Sequence, residues 1–122
     1  MATEKEILET FNKIETELGG FIACSLVDLE SGMTLAVRST RSEFDLAAAS
    51  AYNSEMVKQK LKTIKALNLK STLDDMLLTL SDQIHFIKMV TPRTFLYLAA
   101  DKSGTNLAIV RSTVLKYSPV LA

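Results

Sequence analysis

Two stretches, Phe21-Ile-Ala-Cys-Ser-Leu-Val27 and Phe95-Leu-Tyr-Leu-Ala-Ala100, decide the fold of this 122-residue chain. Each is apolar at nearly every position, so alternation gives neither of them a face toward water. A strand with this pattern is buried on both faces. Because both strands need a helical layer above and below, the sequence predicts a three-layer α/β/α sandwich with these two strands in the middle of the sheet.

Three helices are predicted around these strands from apolar residues that recur every three or four positions. The first begins with Thr3 and has Glu6 three residues later, the pattern of a capping box. The second is the longest periodic stretch and is expected to begin at a Ser42 cap, with Asp45 at its third position. The predicted helices are Thr3–Leu18, Ser42–Leu67 and Asn106–Tyr117.

The remaining strands are joined by short, turn-rich links, which connect antiparallel neighbours. Gly32 lies in the first turn, and the strand that returns from it alternates apolar and polar residues. The predicted order is αββαβββα, a single α/β (α+β) domain over residues 1–122 with five antiparallel strands. Besides the two central strands, the predicted strands are Met33–Arg38, Asp75–Leu80 and Ile84–Val90.

The two strands left at the sheet edges are those beginning at Met33 and Asp75. The stretch Met76-Leu-Leu-Thr-Leu80 is apolar on both faces and contains no Pro or Lys. Soluble monomers avoid such an edge, because its unpaired N–H and C=O groups recruit another chain. We therefore expect a homodimer, in which the alanine-rich start of the second helix also meets its symmetry mate. The predicted dimer residues are Ala49, Tyr52, Asn53, Met56, Met76, Leu78 and Leu80.

Composition excludes several classes of function. Lys+Arg and Asp+Glu both number 14, so the net charge of zero removes the electrostatic attraction on which most nucleic-acid binders depend. One Cys and one His form neither an internal disulfide nor a zinc cluster. No apolar run approaches the ~20 residues of a membrane span, and the acidic N-terminus resembles no secretory signal. We expect a soluble cytoplasmic protein without membrane insertion.

No residue is predicted to be catalytic or to bind a metal or cofactor. The four glycines never fall into a phosphate-binding spacing. His85 has no nucleophile or carboxylate nominated beside it and is expected to be a packed or interface residue, while Cys24 is expected to be an inert apolar residue. Asp74 and Asp75 point to opposite faces of a strand. The segment Asp101-Lys-Ser-Gly104 is predicted to be a capped turn rather than an anion site.

Two segments carry a resemblance to a known family. Gly20-Phe-Ile-Ala-Cys-Ser-Leu-Val-Asp28, followed by Ser31-Gly32, resembles the first hairpin of the Roadblock/dynein light chain domain family. Leu98-Ala-Ala-Asp-Lys-Ser-Gly-Thr-Asn-Leu-Ala-Ile-Val-Arg111 resembles the entry to its last helix, with Ala108 where many bacterial members carry a small Gly. With the element order, the resemblance covers nearly the whole chain. It implies a non-enzymatic homodimer with a continuous ten-stranded sheet.

The resemblance also implies a function, because members of this family bind or regulate Ras-like small GTPases in bacteria and serve dynein and lysosomal scaffolds in eukaryotes. The leading hypothesis is an adaptor that binds and regulates such a GTPase. Whether the adaptor also activates GTP hydrolysis is left open. The alternatives are a structural scaffold of light-chain type and, least favoured, a profilin-like enzyme or sensor. Lys58 and Lys65 belong to a basic surface of the second helix. This surface is either simply exposed to solvent or a docking surface for a partner. The expected GTPase contacts are Asn53, Met56, Lys60 and Lys62.

Overall fold

The computed structural model describes residues 2–122 and has the predicted order αββαβββα. The helices begin and end within a few residues of the sequence prediction. A short 3₁₀ helix, Ser118–Leu121, closes the chain. The elements are α1 (Glu4–Glu17), β1 (Phe21–Asp28), β2 (Thr34–Ser39), α2 (Leu46–Ala66), β3 (Asp75–Thr79), β4 (Gln83–Thr91), β5 (Thr94–Asp101) and α3 (Leu107–Tyr117).

The five strands form one antiparallel sheet in the order β2-β1-β5-β4-β3. The two apolar strands β1 and β5 are adjacent and interior, with Leu26 opposite Leu96. The edges are β2 and β3. The structure thus confirms both the central position of the apolar strands and the identity of the two edge strands.

Each face of the sheet has its own apolar core. On one face, Phe11 and Ile14 of α1 and Val110 of α3 pack with buried residues that include Phe86 and Leu98. On the other face, α2 contributes Leu46 and Val57 to a cluster with Ile87, Phe95 and Tyr97. Removing such a side chain from water is worth about 1.5–3 kcal/mol each. This arrangement confirms the three-layer sandwich.

The N-cap of α1 is the one predicted from the sequence, whereas the N-cap of α2 is a different residue. The capping box is present: the Glu6 N–H donates to Thr3 Oγ1 at 3.2 Å, and the Thr3 N–H donates to Glu6 Oε1 at 2.9 Å. The prediction of a Ser42 cap for α2 is wrong. Asp45 is the N-cap, because its Oδ1 accepts the Ala48 N–H at 3.0 Å, and the helix begins at Leu46.

Helix α2 lies nearer the β1–β2 side of the sheet than the sequence prediction placed it. Most of its close contacts are with β1 and β2. Ser50 Oγ lies 2.8 Å from Ser25 Oγ, and the Ser54 hydroxyl donates to the Leu29 carbonyl at 2.6 Å. The small residues of α2 thus do allow a close approach, but to the first hairpin rather than to the β3 edge. On this sheet face Ile87 of β4 is fully buried, whereas Met76 and Leu78 of β3, farther from α2, are half-buried.

A β-bulge changes which side chains of β2 are buried. Leu35 and Ala36 together face Leu26, because the register shifts between Leu26 and Val27. Ala36 enters the core, whereas Leu35 and Val37 remain 51% and 48% exposed. Val37 pairs with Ser25 and lies on the α2 face, whereas Ala36 pairs with Leu26 and lies on the α1 face. The extra residue moves the strand out of phase with a simple period of two.

Glycine is required where the start of β1 passes the turn after β5. A Cβ on Gly104 would lie 2.7 Å from the Cα of Gly20, closer than side-chain atoms approach a backbone. Gly20 itself has φ +76°, which favours glycine. The two segments that carry the family resemblance therefore pack backbone against backbone.

Candidate protein-interaction site

The free edge of β3 carries a row of apolar side chains on the face that α2 shares. Met76 pairs with Ile87, and Leu78 pairs with His85, both of which lie on that face. Met76 and Leu78 are half-buried, and Leu80, just beyond the strand, is 44% exposed. We call Met76, Leu78 and Leu80 the β3 row.

The main chain of β3 offers hydrogen-bonding groups to a further strand. The Leu80 N–H donates to the Gln83 carbonyl at 2.8 Å. This bond sets which residues of β3 form hydrogen bonds with β4. By the alternation of an antiparallel ladder, Leu77 and Thr79 point their N–H and C=O groups away from β4. Within residues 2–122 no strand pairs with this side of β3.

One flank of α2 overlooks the same part of the sheet. Ala49, Asn53, Met56 and Lys60 follow one another at spacings of four, three and four residues and so lie on one stripe of the helix. Beside this stripe, Tyr52 is 77% exposed, the largest exposed fraction of any large apolar side chain described. Met56 packs against the same core cluster as Met76 and Leu78. We call this stripe with Tyr52 the α2 flank.

A neutral polar network lies between the α2 flank and the β3 row. His85 Nε2 lies 2.8 Å from Gln83 Oε1, and His85 Nδ1 lies 3.2 Å from the Tyr97 hydroxyl. Burial lowers the pKa of His85 below its ordinary value of 6.5, against a smaller opposing effect of Asp82. Burial also raises the pKa of Tyr97 to about 12, opposed by the nearby polar side chain of Asn53. At neutral pH the network is therefore uncharged.

This arrangement suits packing and hydrogen bonding rather than bond-breaking chemistry. No nucleophile accompanies His85 in the network described above. Cys24 lies in the cluster on the opposite face of the sheet, where burial raises the pKa of its thiol and keeps it protonated. Across residues 2–122, no group of three His, Cys, Asp or Glu side chains is placed to hold a metal ion. None of the helices in that range is long and apolar enough to cross a membrane.

The structure places the seven predicted dimer residues on one side of the molecule. Ala49, Tyr52, Asn53 and Met56 belong to the α2 flank, and the other three form the β3 row. The network of Asn53, Tyr97 and His85 links the two groups, because His85 is the direct neighbour of Leu78.

The four residues predicted to contact a GTPase lie on different sides of α2. Lys62 is nine residues after Asn53, which puts it on the opposite side of the helix at 3.6 residues per turn. Asn53 and Met56 face the sheet, whereas Lys60 and Lys62 are exposed in different directions. On the side of Lys62, the Lys58 ammonium donates to the Glu30 carbonyl at 2.7 Å.

Sequence reasoning missed the partners of His85. The period of two along β4 puts His85 on one face with Ile87 and Met89, which belong to the core cluster of that face. Its contact with Tyr97 depends on the register between β4 and β5, where His85 pairs with Ala99 and Tyr97 pairs with Ile87. No signal in the sequence fixes that register.

The element order, the sheet order and the single helix on the α2 face define a Roadblock-type fold, as the resemblance implied. Among solved structures, the chain is similar to MglB of Myxococcus xanthus, with a TM-score of 0.87 and 16% identity over 99% of this chain and 88% of that one.

Two further solved structures support the same fold. The gliding protein MglB of Thermus thermophilus gives a TM-score of 0.85 and 16% identity over 98% of this chain and 87% of that one. A Roadblock/LC7 domain of Streptomyces avermitilis gives 0.79 and 9% identity over 97% and 92%. No family model matches the sequence, and no curated protein matches it.

Proposed function

We propose that this protein is a non-enzymatic adaptor that forms a homodimer and binds a Ras-like small GTPase. The observation that carries the proposal is the incomplete cover of one sheet face: α2 packs on β1 and β2, and the β3 row lies beside it next to an open strand edge. The family resemblance supplies the class of partner, and the similarity in fold to MglB supports that resemblance.

The homodimer follows from what would complete this surface. Two β3 edges can pair across a two-fold axis, with main-chain hydrogen bonds from Leu77 and Thr79 of each copy to the β3 strand of the other. The two five-stranded sheets then form one sheet of ten strands. The α2 flank of each copy then covers the β3 row of its partner. Asp75 does not oppose this pairing, because its carboxylate accepts from the Arg111 guanidinium at 2.9 Å and is turned toward α3.

The GTPase surface is the solvent side of α2, beyond the dimer. In the proposed dimer Asn53 and Met56 are covered by the second copy, so the lysines carry the contact. Lys62 and Lys65 lie three residues apart on the exposed side of the helix. A GTPase that contacts this surface more tightly in one switch conformation is held in that conformation by the difference in affinity.

The test is a pull-down from the source cells, with the purified protein as bait and with excess GTP analogue or GDP. We expect a small GTPase to be enriched in one nucleotide state. The double variant Lys62→Glu with Lys65→Glu is expected to weaken its binding at least about tenfold, because like charges replace complementary ones. The variant Lys5→Glu with Lys13→Glu makes the same change of charge on α1 and should bind as the wild type does.

Two outcomes would contradict the proposal at different points. If the Lys62 and Lys65 variant binds the GTPase as the wild type does, the surface is wrong. If no GTPase is retained in either nucleotide state while other proteins are, the protein is a dimeric scaffold without a role in GTP turnover.

A further inference from the structure

The second open edge of the sheet, formed by β2, has hydrogen-bonding groups free on its outer side. The Thr40 N–H donates to the Ile22 carbonyl at 2.9 Å, which sets the phase of the ladder between β1 and β2. By the alternation of that ladder, the N–H and C=O of Val37 point outward. Among residues 2–122 β2 pairs with β1 alone.

The side chains along this edge are apolar and unprotected. Leu35 and Val37 are 51% and 48% exposed, and Leu8 of the neighbouring helix α1 is 40% exposed. Edge strands are usually blunted by Pro, by a projecting Lys or by a bulge. Here β2 contains neither Pro nor Lys, and its bulge at Leu35 precedes the outward groups of Val37. Its one cation, Arg38, forms an ion pair with Glu15 of α1 and is thereby held against the helix.

A groove runs between this edge and α1. A hollow of about 340 Å³ is lined by Glu4, Leu8 and residues 34–37 of β2. The surface of α1 continues from this hollow, where Lys5 and Glu9 lie beside Glu4 and Leu8. The rim is acidic, because two carboxylates accompany one ammonium, and Lys5 lies 4.0 Å from Glu9. The groove thus combines an apolar floor, a negative rim and an open strand edge.

We propose that the β2 edge binds an extended segment of a partner protein, which adds a strand to the sheet. Its main chain pairs with the outward groups of Val37, as in other cases of strand addition. Apolar side chains at alternate positions of the segment lie on the α2 face beside Val37, and the Lys or Arg residues between them lie on the α1 face, opposite the carboxylates of Glu4 and Glu9. The inference goes beyond the proposed function and does not depend on it.

A second copy of this chain does not fit the same edge. Pairing two β2 strands across a two-fold axis would bring two α1 helices together, each with its own Glu4 and Glu9. Like charges placed in this way repel each other. In the proposed dimer the two β2 edges lie at the far ends of the ten-stranded sheet, so each dimer offers two separate sites.

The test uses a labelled peptide of sequence Lys-Val-Lys-Val-Lys-Val-Lys, blocked at both ends, and fluorescence anisotropy with the full chain. We expect saturable binding with a dissociation constant of about 1 mM or tighter. The peptide with Glu in place of every Lys should not bind. Val37→Pro, which removes the outward N–H at an edge position that tolerates Pro, should weaken binding at least tenfold, whereas Val37→Thr should not.

Amide hydrogen exchange on the wild-type protein gives a second readout that needs no variant to fold. Peptide binding should slow exchange of the Val37 amide at least tenfold and leave that of Leu77 unchanged. Absence of peptide binding, protection at Leu77 in place of Val37, or self-association beyond the dimer that Val37→Pro abolishes would each overturn the proposal. None of these readouts involves a GTPase, so they are separate from the test of the proposed function.

Discussion

The two open edges of the sheet, β3 and β2, differ in what lies beside them. Next to β3 is the flank of α2, and the half-buried β3 row carries the apolar surface beside it to the edge. Next to β2 is α1, whose Glu4 and Glu9 bring carboxylates to that side. An apolar edge beside an exposed helix flank suits a second copy of the chain, whereas an edge beside carboxylates suits an extended segment of opposite charge.

The largest expected effect is that of Leu78→Asp on the dimer. A carboxylate in the middle of the β3 row would be buried without a partner, which costs several kcal/mol. We expect the mass measured by light scattering to fall from twice the 13.5 kDa of the chain to that of one chain, or the protein to precipitate.

The matched change on the other edge is Leu35→Asp. Leu35 is already half exposed, so this variant should keep the mass of the dimer and lose no more than about 0.5 kcal/mol of stability. A well-folded dimer of Leu78→Asp, or a monomer of Leu35→Asp, would reverse the roles assigned to the two edges.

A smaller effect is expected from pH on the free energy of unfolding, through His85 beside β3. Because burial lowers the pKa of His85 in the folded protein, the unfolded chain binds a proton more readily as the pH falls through 6.5. The free energy of unfolding should therefore decrease from pH 7.5 to 5.5, a range that lies above the titration of Glu6 and Asp28, whose pKa values are lowered by hydrogen bonds from Thr3 and Ser31.

His85→Gln is the control for this pH dependence, because it keeps a polar side chain and does not titrate. Its free energy of unfolding, measured in urea at one fixed protein concentration, should be flatter over the same range. A slope equal to that of the wild type would show that His85 is not its source, since His85 is the single histidine of the chain.

The smallest effect is expected for Arg38→Ala, which removes the ion pair with Glu15 beside β2. Both side chains are about one-third exposed, at 38% and 33%, and pairs of this kind contribute roughly 0.2–1 kcal/mol. Urea unfolding should show a loss within that range, with the dimer mass unchanged. A loss above about 2 kcal/mol would mean that the β2 edge is held by α1 far more firmly than an exposed pair allows.

Much of the fold could be predicted because the pattern at each strand is local. The uniform apolar runs in β1 and β5 identify interior strands, and the Thr3 and Glu6 pair identifies the start of α1. The bulge at Leu35 could not be predicted, since it depends on how β2 and β1 pair rather than on either strand alone. The position of α2 over the first hairpin is set by Ser50 and Ser54, whose partners are distant in sequence.

The candidate site was predicted only in part for the same reason. The residues of the β3 row follow from an unguarded edge strand, which the sequence displays directly. The surface for a GTPase required knowing which way α2 is turned, and Lys62 proved to lie opposite Asn53. The groove at β2 was missed entirely, because Leu8 and Leu35 come from elements whose proximity only the fold reveals.

The most direct test of the different roles of the two edges is amide hydrogen exchange, measured residue by residue on the purified protein without added partners. The outward amides of Leu77 and Thr79 on β3 should be protected by the second copy, and the outward amide of Val37 on β2 should exchange freely. Fast exchange at Leu77 and Thr79 together with protection at Val37 would contradict the account, because the copies would then be joined through β2.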